Sequence, residues 1–458
     1  MISRRALLKL SGLAAVSASL PDLAQQVTPP DYKIDIARHT LDLSPRHKLE
    51  TIAYNGQVPG PLLRLKENQP VTIEVTNHTD RPEVVHWHGL FLPPAIDGSI
   101  EEGTPAIAPN STVRYNFAPR PAGFRWYHTH TMAMDDLTRG QYGGQHGLLL
   151  IEPRNDPARY DQEFFLALHD WGGHLSASDD GTMNPTYAVS TINGKAMGSG
   201  DPLRVKRGEH ILLHILNSSP TEVHWIALTG HELRVIALDG NPVPTPRTVP
   251  MLRLAPAERV CALVEMNNPG VWVLGEVRRH VQASGMAITV EYANQAGSPQ
   301  WRQPSNLTWN YEQFAAADSA GGPTEPPIDI PLVIEPKFRG HGSMEGWTLN
   351  GKAYPDASAP PLKQGQRYRL QFINRSPDDH PLHLHRHSFE LRTLGAPLAP
   401  GNSAAPKSVR GVIKDVVLVD SQTQTDVEFT ADNPGLTLFH CHQQNHMDLG
   451  FMMLFDYA

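Results

Sequence analysis

The sequence predicts an all-β protein made of three β-sandwich domains, and three observations carry that prediction. The first is a pattern that occurs three times. Asn55-Gly56 is followed by Lys66-Glu67-Asn68, an alternating run Val71-Thr72-Ile73-Glu74-Val75, and Asn77. Asn193-Gly194 is followed by Lys206-Arg207-Gly208, an apolar run from Ile211 to Leu216, and Asn217. Asn350-Gly351 is followed by Lys363-Gln364-Gly365, the alternation Tyr368-Arg369-Leu370-Gln371-Phe372, and Asn374. The Lys-to-Asn spacing is eleven each time, the signature of one supersecondary unit repeated. The second observation is the period-two alternation bounded by turn residues, which reads as half-buried strands in sandwiches. The third is composition: 41 Pro and 36 Gly favour short strands and turns over long helices.

The elements follow in order. Residues 1–26 read as an export signal. Arg4-Arg5 follows Ser3, Leu8-Lys9 lies beyond, and an apolar, small-residue stretch runs to Leu20. This matches the twin-arginine type and is too short to span a bilayer. Cleavage after Ala18 or after Ala24 fits equally. Export by that route to the periplasm or cell exterior is the expectation, with the twin-arginine machinery as a partner. Residues 27–155 form the first repeat domain, 156–294 the second, 295–327 a polar, Gly- and Pro-containing linker, and 328–458 the third. A short helix is expected within the linker region, over Leu307 to Asp318. No later stretch is apolar enough to cross a membrane. A net charge of −8 without a basic stripe argues against nucleic acid. Two cysteines, Cys261 and Cys441, leave no intrachain disulfide if either binds metal. A monomer is expected.

After each repeat's last Asn comes a histidine-bearing stretch, and in the first and third copies these become clusters. His86-Trp87-His88 and His128-Thr129-His130 lie in the first domain. His380-Pro381-Leu382-His383-Leu384-His385 and His440-Cys441-His442, with His446 beyond, lie in the third. Neighbouring side chains on a strand point to opposite faces, so each His-x-His pair shares one face. Cys441 therefore faces away from His440 and His442, and His380 away from His383 and His385. The faces sort into two sets. His380, Cys441 and His446 make a thiolate–imidazole site, the ligand set of blue copper. His86, His88, His128, His130, His383, His385, His440 and His442 make an all-imidazole site at an interface between domains one and three. Eight donors suit three copper ions, whereas a zinc site takes about four. The middle copy has Ile226 and Leu228 where a cluster would continue, so it is a spacer. Its His210, His214, His224 and His231 read as surface or internally satisfied histidines.

These four motifs, in this order and spacing, resemble the multicopper oxidases, the laccase-like family, over the whole mature chain. The resemblance implies three cupredoxin-like Greek-key domains and four coppers: one type 1, one type 2 and a type 3 pair. It implies that His380, Cys441 and His446 hold type 1 copper, His86 and His383 type 2, and His88, His128, His130, His385, His440 and His442 type 3. It also implies one-electron oxidation of a reductant coupled to four-electron reduction of oxygen to water. Electrons would enter at His446 and pass through Cys441 to His440 and His442. The family's axial position falls on Phe451, which cannot coordinate; a shift of one residue would substitute Met452. Losing the axial thioether should raise the potential. Asp97 matches the family's acidic proton relay. Some bacterial members place Glu directly after the last motif histidine; this chain has Met447 there, with Asp448 the nearest substitute.

The reductant is less legible. Phenols and aromatic amines are the leading expectation. Oxidation of Cu(I) or Fe(II) in metal tolerance is the alternative, and a non-enzymatic cell-envelope protein on the same fold the third. Members of that last kind have lost ligands, and all eleven stand here. Substrate is expected to dock at an exposed edge of His446. Asp378 and Asp379 nearby could bind a phenol or a cation, or form a solvated turn. Met132, Met134, Met447, Met452 and Met453 form no Met-rich block and read as packing residues.

Overall fold

The repeat is held together by two asparagines per copy. Asn55, Asn193 and Asn350 each have φ of 52–53°, and the following glycines have φ of 63–78°. Two consecutive positive φ values make the hairpin turn whose twist suits antiparallel strands. Each Asn side chain also ties two main-chain groups of the domain's first strand. Asn55 accepts from Asp35 N and donates to Lys33 O. Asn193 does the same with Ala167 and Phe165, and Asn350 with Val333 and Pro331. Asn77, Asn217 and Asn374 are fully buried. Each accepts from the N–H two residues on and donates to main-chain carbonyls across the sandwich. Buried carbonyls need such partners, which explains why the residue type recurs.

The structure is a computed structural model that describes residues 28–153, 159–177, 183–317, 327–339, 343–398 and 407–458. The expected export signal, 1–26, lies outside the described residues, as does 318–326 of the expected linker. Each repeat is a pair of packed sheets. In the first, Tyr32–Ser44 pairs in parallel with Val71–Asn77; the second sheet runs Gly60–Lys66, His146–Glu152, Gly123–Thr129, Val85–His86. The second repeat pairs Gln162–Trp171 with His210–Asn217, and the third Ile328–Arg339 with Arg367–Asn374, again in parallel. Along Val71–Asn77 and Arg367–Asn374 alternate residues are buried, each large aliphatic contributing about 1.5–3 kcal/mol. His210–Asn217 is buried from Ile211 on. One face fills its own sandwich. The other carries Leu212 and Leu216 against Phe124, Trp126 and Leu148 of the first domain, which is why its sequence is a run rather than an alternation.

The expected helix at 307–318 is a correction. Over 307–317 only Tyr311–Phe314 is helical, as a single 3-10 turn, and 318 lies outside the described residues. Its i, i+3 pair, Tyr311 and Phe314, buries on one side, while the flanking chain is extended to hydrogen-bond both neighbouring domains. Thr245 donates to Ala315 O at 2.6 Å and Ala316 N donates to Arg410 O at 2.9 Å. Among the described residues no helix is long and apolar enough to cross a membrane.

What positions the site is strand register. His86 stands opposite His128 in the first domain, and His383 stands opposite His440 in the third. The two His-bearing sheet edges are therefore counterparts, and they face each other.

Candidate metal centre

The structure brings the eight imidazoles of domains one and three together across that interface. Donor atoms converge in three groups: His86, His88 and His383; His88, His128 and His442; His130, His385 and His440. The rings of His88 and His383 stack at 3.9 Å, and those of His86 and His385 at 4.0 Å. None of the eight is more than 3% exposed. Burial first, then the neighbouring rings, holds His88, His128, His383, His385, His440 and His442 well below the ordinary imidazole range. They are neutral, with lone pairs available.

The hydrogen bonds fix which nitrogen is the lone pair. His440 donates Nδ1–H to Cys441 O at 2.8 Å, and His385 faces Asp97 Oδ2 with Nδ1 at 2.9 Å. Both Nε2 atoms are then unprotonated, yet they lie 3.1 Å apart. Two lone pairs at that distance repel unless a cation sits between them. Ligands about 2.0 Å from one ion stand about 3.3–3.5 Å from each other, the edge of such a tetrahedron or triangle. His128 donates Nδ1–H to Thr129 O at 2.7 Å, so its Nε2 is a lone pair 3.4 Å from His88 Nδ1. His86 and His383 donate Nδ1–H to the carbonyls of Asp97 and Asp415. Their inward Nε2 atoms, and both ring nitrogens of His442, have no hydrogen-bond partner. Such orphaned groups cost about 1–3 kcal/mol each. A metal is the partner this donor set lacks.

A second centre lies behind Cys441. His380 Nε2 donates to Ser376 Oγ at 2.8 Å, since that hydroxyl spends its own proton on carbonyl oxygens. His380 Nδ1 is therefore a lone pair, 3.1 Å from His446 Nδ1 and 3.8 Å from Cys441 Sγ. Cys441 Sγ to His446 Nδ1 is 3.5 Å. Burial pushes the Cys441 thiol up and the His446 imidazole down to about 3, so both are neutral here, and a thiol, a lone-pair imidazole and a second imidazole converge as a soft donor set that fits copper. Cys441 is the residue between His440 and His442, and one covalent path joins the two centres.

Three family models described as multicopper oxidase match residues 35–156, 163–294 and 328–458. The multicopper oxidase MmcO of Mycobacterium tuberculosis is 30% identical over 89% of this chain and 83% of its own length. The chain belongs to the multicopper oxidase family. Laccase-4 of Thanatephorus cucumeris is 27% identical over 92% of this chain and 89% of its own. The crystal structure of Fet3p, a multicopper oxidase that functions in iron import, superposes with a TM-score of 0.80 at 20% identity, covering 93% of this chain and 90% of that one. The fold is thus the three-domain cupredoxin architecture, and the cofactor is copper.

Around the clustered imidazoles stand Asp97, which the sequence had singled out, and Glu102, Asp415, Trp126 and Trp347, which sequence reasoning missed. Asp97 is fully buried, with Oδ2 2.9 Å from His385 Nδ1 and 3.2 Å from His86 Nδ1. Glu102 joins it from the same loop: Oε1 accepts Leu438 N at 2.6 Å and Oε2 lies 3.5 Å from His385 Nδ1. Burial and the Asp97 charge push the Glu102 carboxyl well up. The adjacent Glu101-Glu102 pair was the available signal. Asp415 holds both His88 and His383, and Trp126 stacks on His128 at 4.0 Å. At the Cys441 centre the indole of Trp347 lies 4.4 Å from the His446 ring and 4.6 Å from the His380 ring. No local motif marks Trp347.

Other candidates fall elsewhere. Phe451 packs its ring 5.0 Å from that of His380. Met452 pairs with His440 and turns into a separate cluster with Leu438 and Met447, against which Met132 packs. Asp448 clamps two domains, accepting from Ala133 N, Met134 N and Gln444 Nε2; it touches no imidazole of the clusters. Asp379 pairs with Arg253 and accepts Ser421 N. His446 is 3% exposed, so the open edge expected there is a sliver: Trp347 and Phe451 close the pocket.

Proposed function

We propose that this multicopper oxidase is laccase-like, taking electrons one at a time from phenols and aromatic amines at the His446 edge. The intact set of eleven donors, with lone pairs facing one another across 3.1–3.4 Å, carries the reading. In it His380, Cys441 and His446 hold type 1 copper. His86 and His383 hold type 2. His88, His128 and His442, with His130, His385 and His440, hold the type 3 pair. Copper, when bound, supplies the one-electron redox steps and the four-electron reduction of oxygen.

The chain's own residues do the rest. The narrow edge of His446 admits an electron but not a bulky ligand, which suits substrates that lose an electron without binding metal. Phe451 is buried with its ring against His380 and has no donor atom, so a copper held by His380, Cys441 and His446 would gain no thioether from it, which would favour the reduced ion and a raised potential. Cys441 links this centre to His440 and His442 through its own backbone. Asp97 is the proton relay: four protons accompany four electrons per oxygen, and its carboxylate meets both His86 and His385. Residues 1–26 carry a twin-arginine export signal to the periplasm or cell exterior, and the chain works as a monomer.

The deciding experiment is oxygen uptake by copper-loaded protein, with phenols and with Cu(I) in parallel and no added excess copper. Uptake with phenols alone is the expected result. Uptake confined to Cu(I) would replace the reading with a metallo-oxidase.

A further inference from the structure

The copper-free middle domain reaches the all-imidazole site through one carboxylate. Asp415 of the third domain accepts His383 Nδ1–H on its main-chain carbonyl at 2.7 Å, and His88 Nε2–H on Oδ1 at 3.1 Å. Its carboxylate is gripped in turn. Arg259 of the middle domain donates to both oxygens, each at 2.6 Å, and Arg125 of the first domain adds a contact at 3.2 Å. Asp239, also of the middle domain, accepts from Asp415 N and Val416 N and from Arg259 N. Arg125, Asp239, Arg259 and Asp415 are all fully buried. A bidentate guanidinium–carboxylate pair in so dry a place is strongly directional. The space is kept by Gly89, where a Cβ would sit 2.7 Å from Asp415 Oδ2 and 3.0 Å from Arg259 Nη2.

The consequence lies in the His88 tautomer. His86, His128, His383, His385 and His440 all engage Nδ1 outside the site and turn Nε2 inward. His88 is reversed: Nε2 is held by Asp415 and Nδ1 faces His128. Without an acceptor fixed at that point, nothing selects the reversed ring. We infer that Arg259 and Asp239 are positioning residues of the trinuclear site, acting through Asp415 to set the orientation of His88 and His383. The middle domain is therefore part of the copper site's frame, not a spacer. This rests on the ligand assignment proposed above.

The test uses the full chain loaded with copper, as wild type, Arg259→Gln, Arg259→Lys and Glu258→Gln. Glu258 is buried in the same junction but bonds Lys414 and Ala255 N rather than Asp415. Both Arg259 variants should keep the visible thiolate–copper band, bind trinuclear copper about 10–100-fold more weakly, and change the EPR signal of the type 2 ion. Glu258→Gln should lower the melting temperature with the EPR signal unchanged. Should Arg259→Gln not fold, Asp415→Asn, which keeps the side chain's shape, should shift the same signal. Wild-type copper content and EPR in the Arg259 variants would overturn the inference, as would the same spectral change in Glu258→Gln. A wild type that binds copper without the thiolate band would overturn the ligand assignment instead.

Discussion

In the third domain Cys441 stands opposite Leu382 across the sheet; in the second, Glu276 stands opposite Ile226 in the same register. His380 precedes Leu382 by two residues, and His224 precedes Ile226 by two. The correspondence continues. The short helix Gln444–Asp448 begins three residues after Cys441, and Arg279–Ala283 begins three after Glu276. Gly450 and Gly285 both have positive φ, and the main-chain bond from Cys441 N to Phe451 O is matched by Glu276 N to Met286 O. Val281 takes the place of His446. The same scaffold thus surrounds two different centres. In the third domain a buried thiol and two neutral imidazoles point at one another. In the second, His224 lies between Asp170, 2.8 Å away, and Glu276, 3.1 Å away. Burial alone would push His224 down, but the two carboxylates outweigh it and lift it to about 9; Asp170 and Glu276 fall to about 2. At matching points of the two sandwiches, then, stand two different donor sets: a thiol with two neutral imidazoles that suits a soft metal ion, and two carboxylates that hold the proton of a charged imidazole.

The largest effect should come from removing the soft donor. Cys441→Ser should abolish the visible charge-transfer band and oxygen uptake with any reductant, leaving the fold intact by circular dichroism; retained oxidation would sink the copper assignment. Next is the proton-filled centre. Glu276→Ala leaves a buried imidazolium short of a carboxylate and should cost about 3–5 kcal/mol in urea unfolding, with the visible band of the folded fraction unchanged. Replacing Asp170, His224 and Glu276 together by apolar residues should be far milder than the single change.

The pH dependence separates the two centres further. His224 is raised from 6.5 to about 9, so its contribution is complete below pH 6.5 and is lost as pH rises through about 9. The depressed Asp170 and Glu276 contribute above about pH 4.5 and lose that contribution as pH falls toward about 2. Stability against urea should therefore plateau near pH 5–6.5. A His224→Leu, Asp170→Asn, Glu276→Gln variant should flatten the alkaline fall, and an unchanged slope would place the titrating group elsewhere. Smallest is Phe451→Met, which should lower the potential of the blue centre in a redox titration while its counterpart position, Met286, leaves that potential untouched when changed to Leu.

Much of this was legible beforehand because copper chemistry leaves a local trace. His-x-His on a strand and Cys441 between two histidines encode facing from residue parity alone, and the Lys-to-Asn spacing exposes the repeat. The 307–318 segment misled because its apolar and polar residues fit a helix, while hydrogen bonds from Thr245 and to Arg410 pull it straight. His224 read as an internally satisfied histidine, as it is, but its equivalence to His380 emerges only from strand register. Asp415 lies 327 positions from His88, and Trp347 meets His446 from another sheet. Neither pairing has a sequence period to reveal it.

What the sequence determined by itself was the all-β fold, its threefold repeat and which histidines and cysteine cluster, since alternation and residue type are properties of short segments. The tertiary structure alone decided which nitrogen of each imidazole faces inward, that Phe451 rather than Met452 packs on His380, and that Arg259 of the middle domain holds Asp415. Those outcomes depend on hydrogen bonds and packing that follow no sequence period, from a chain neighbour for His440 and Cys441 O to a partner 327 positions away for His88 and Asp415, and only the folded chain brings donor to acceptor.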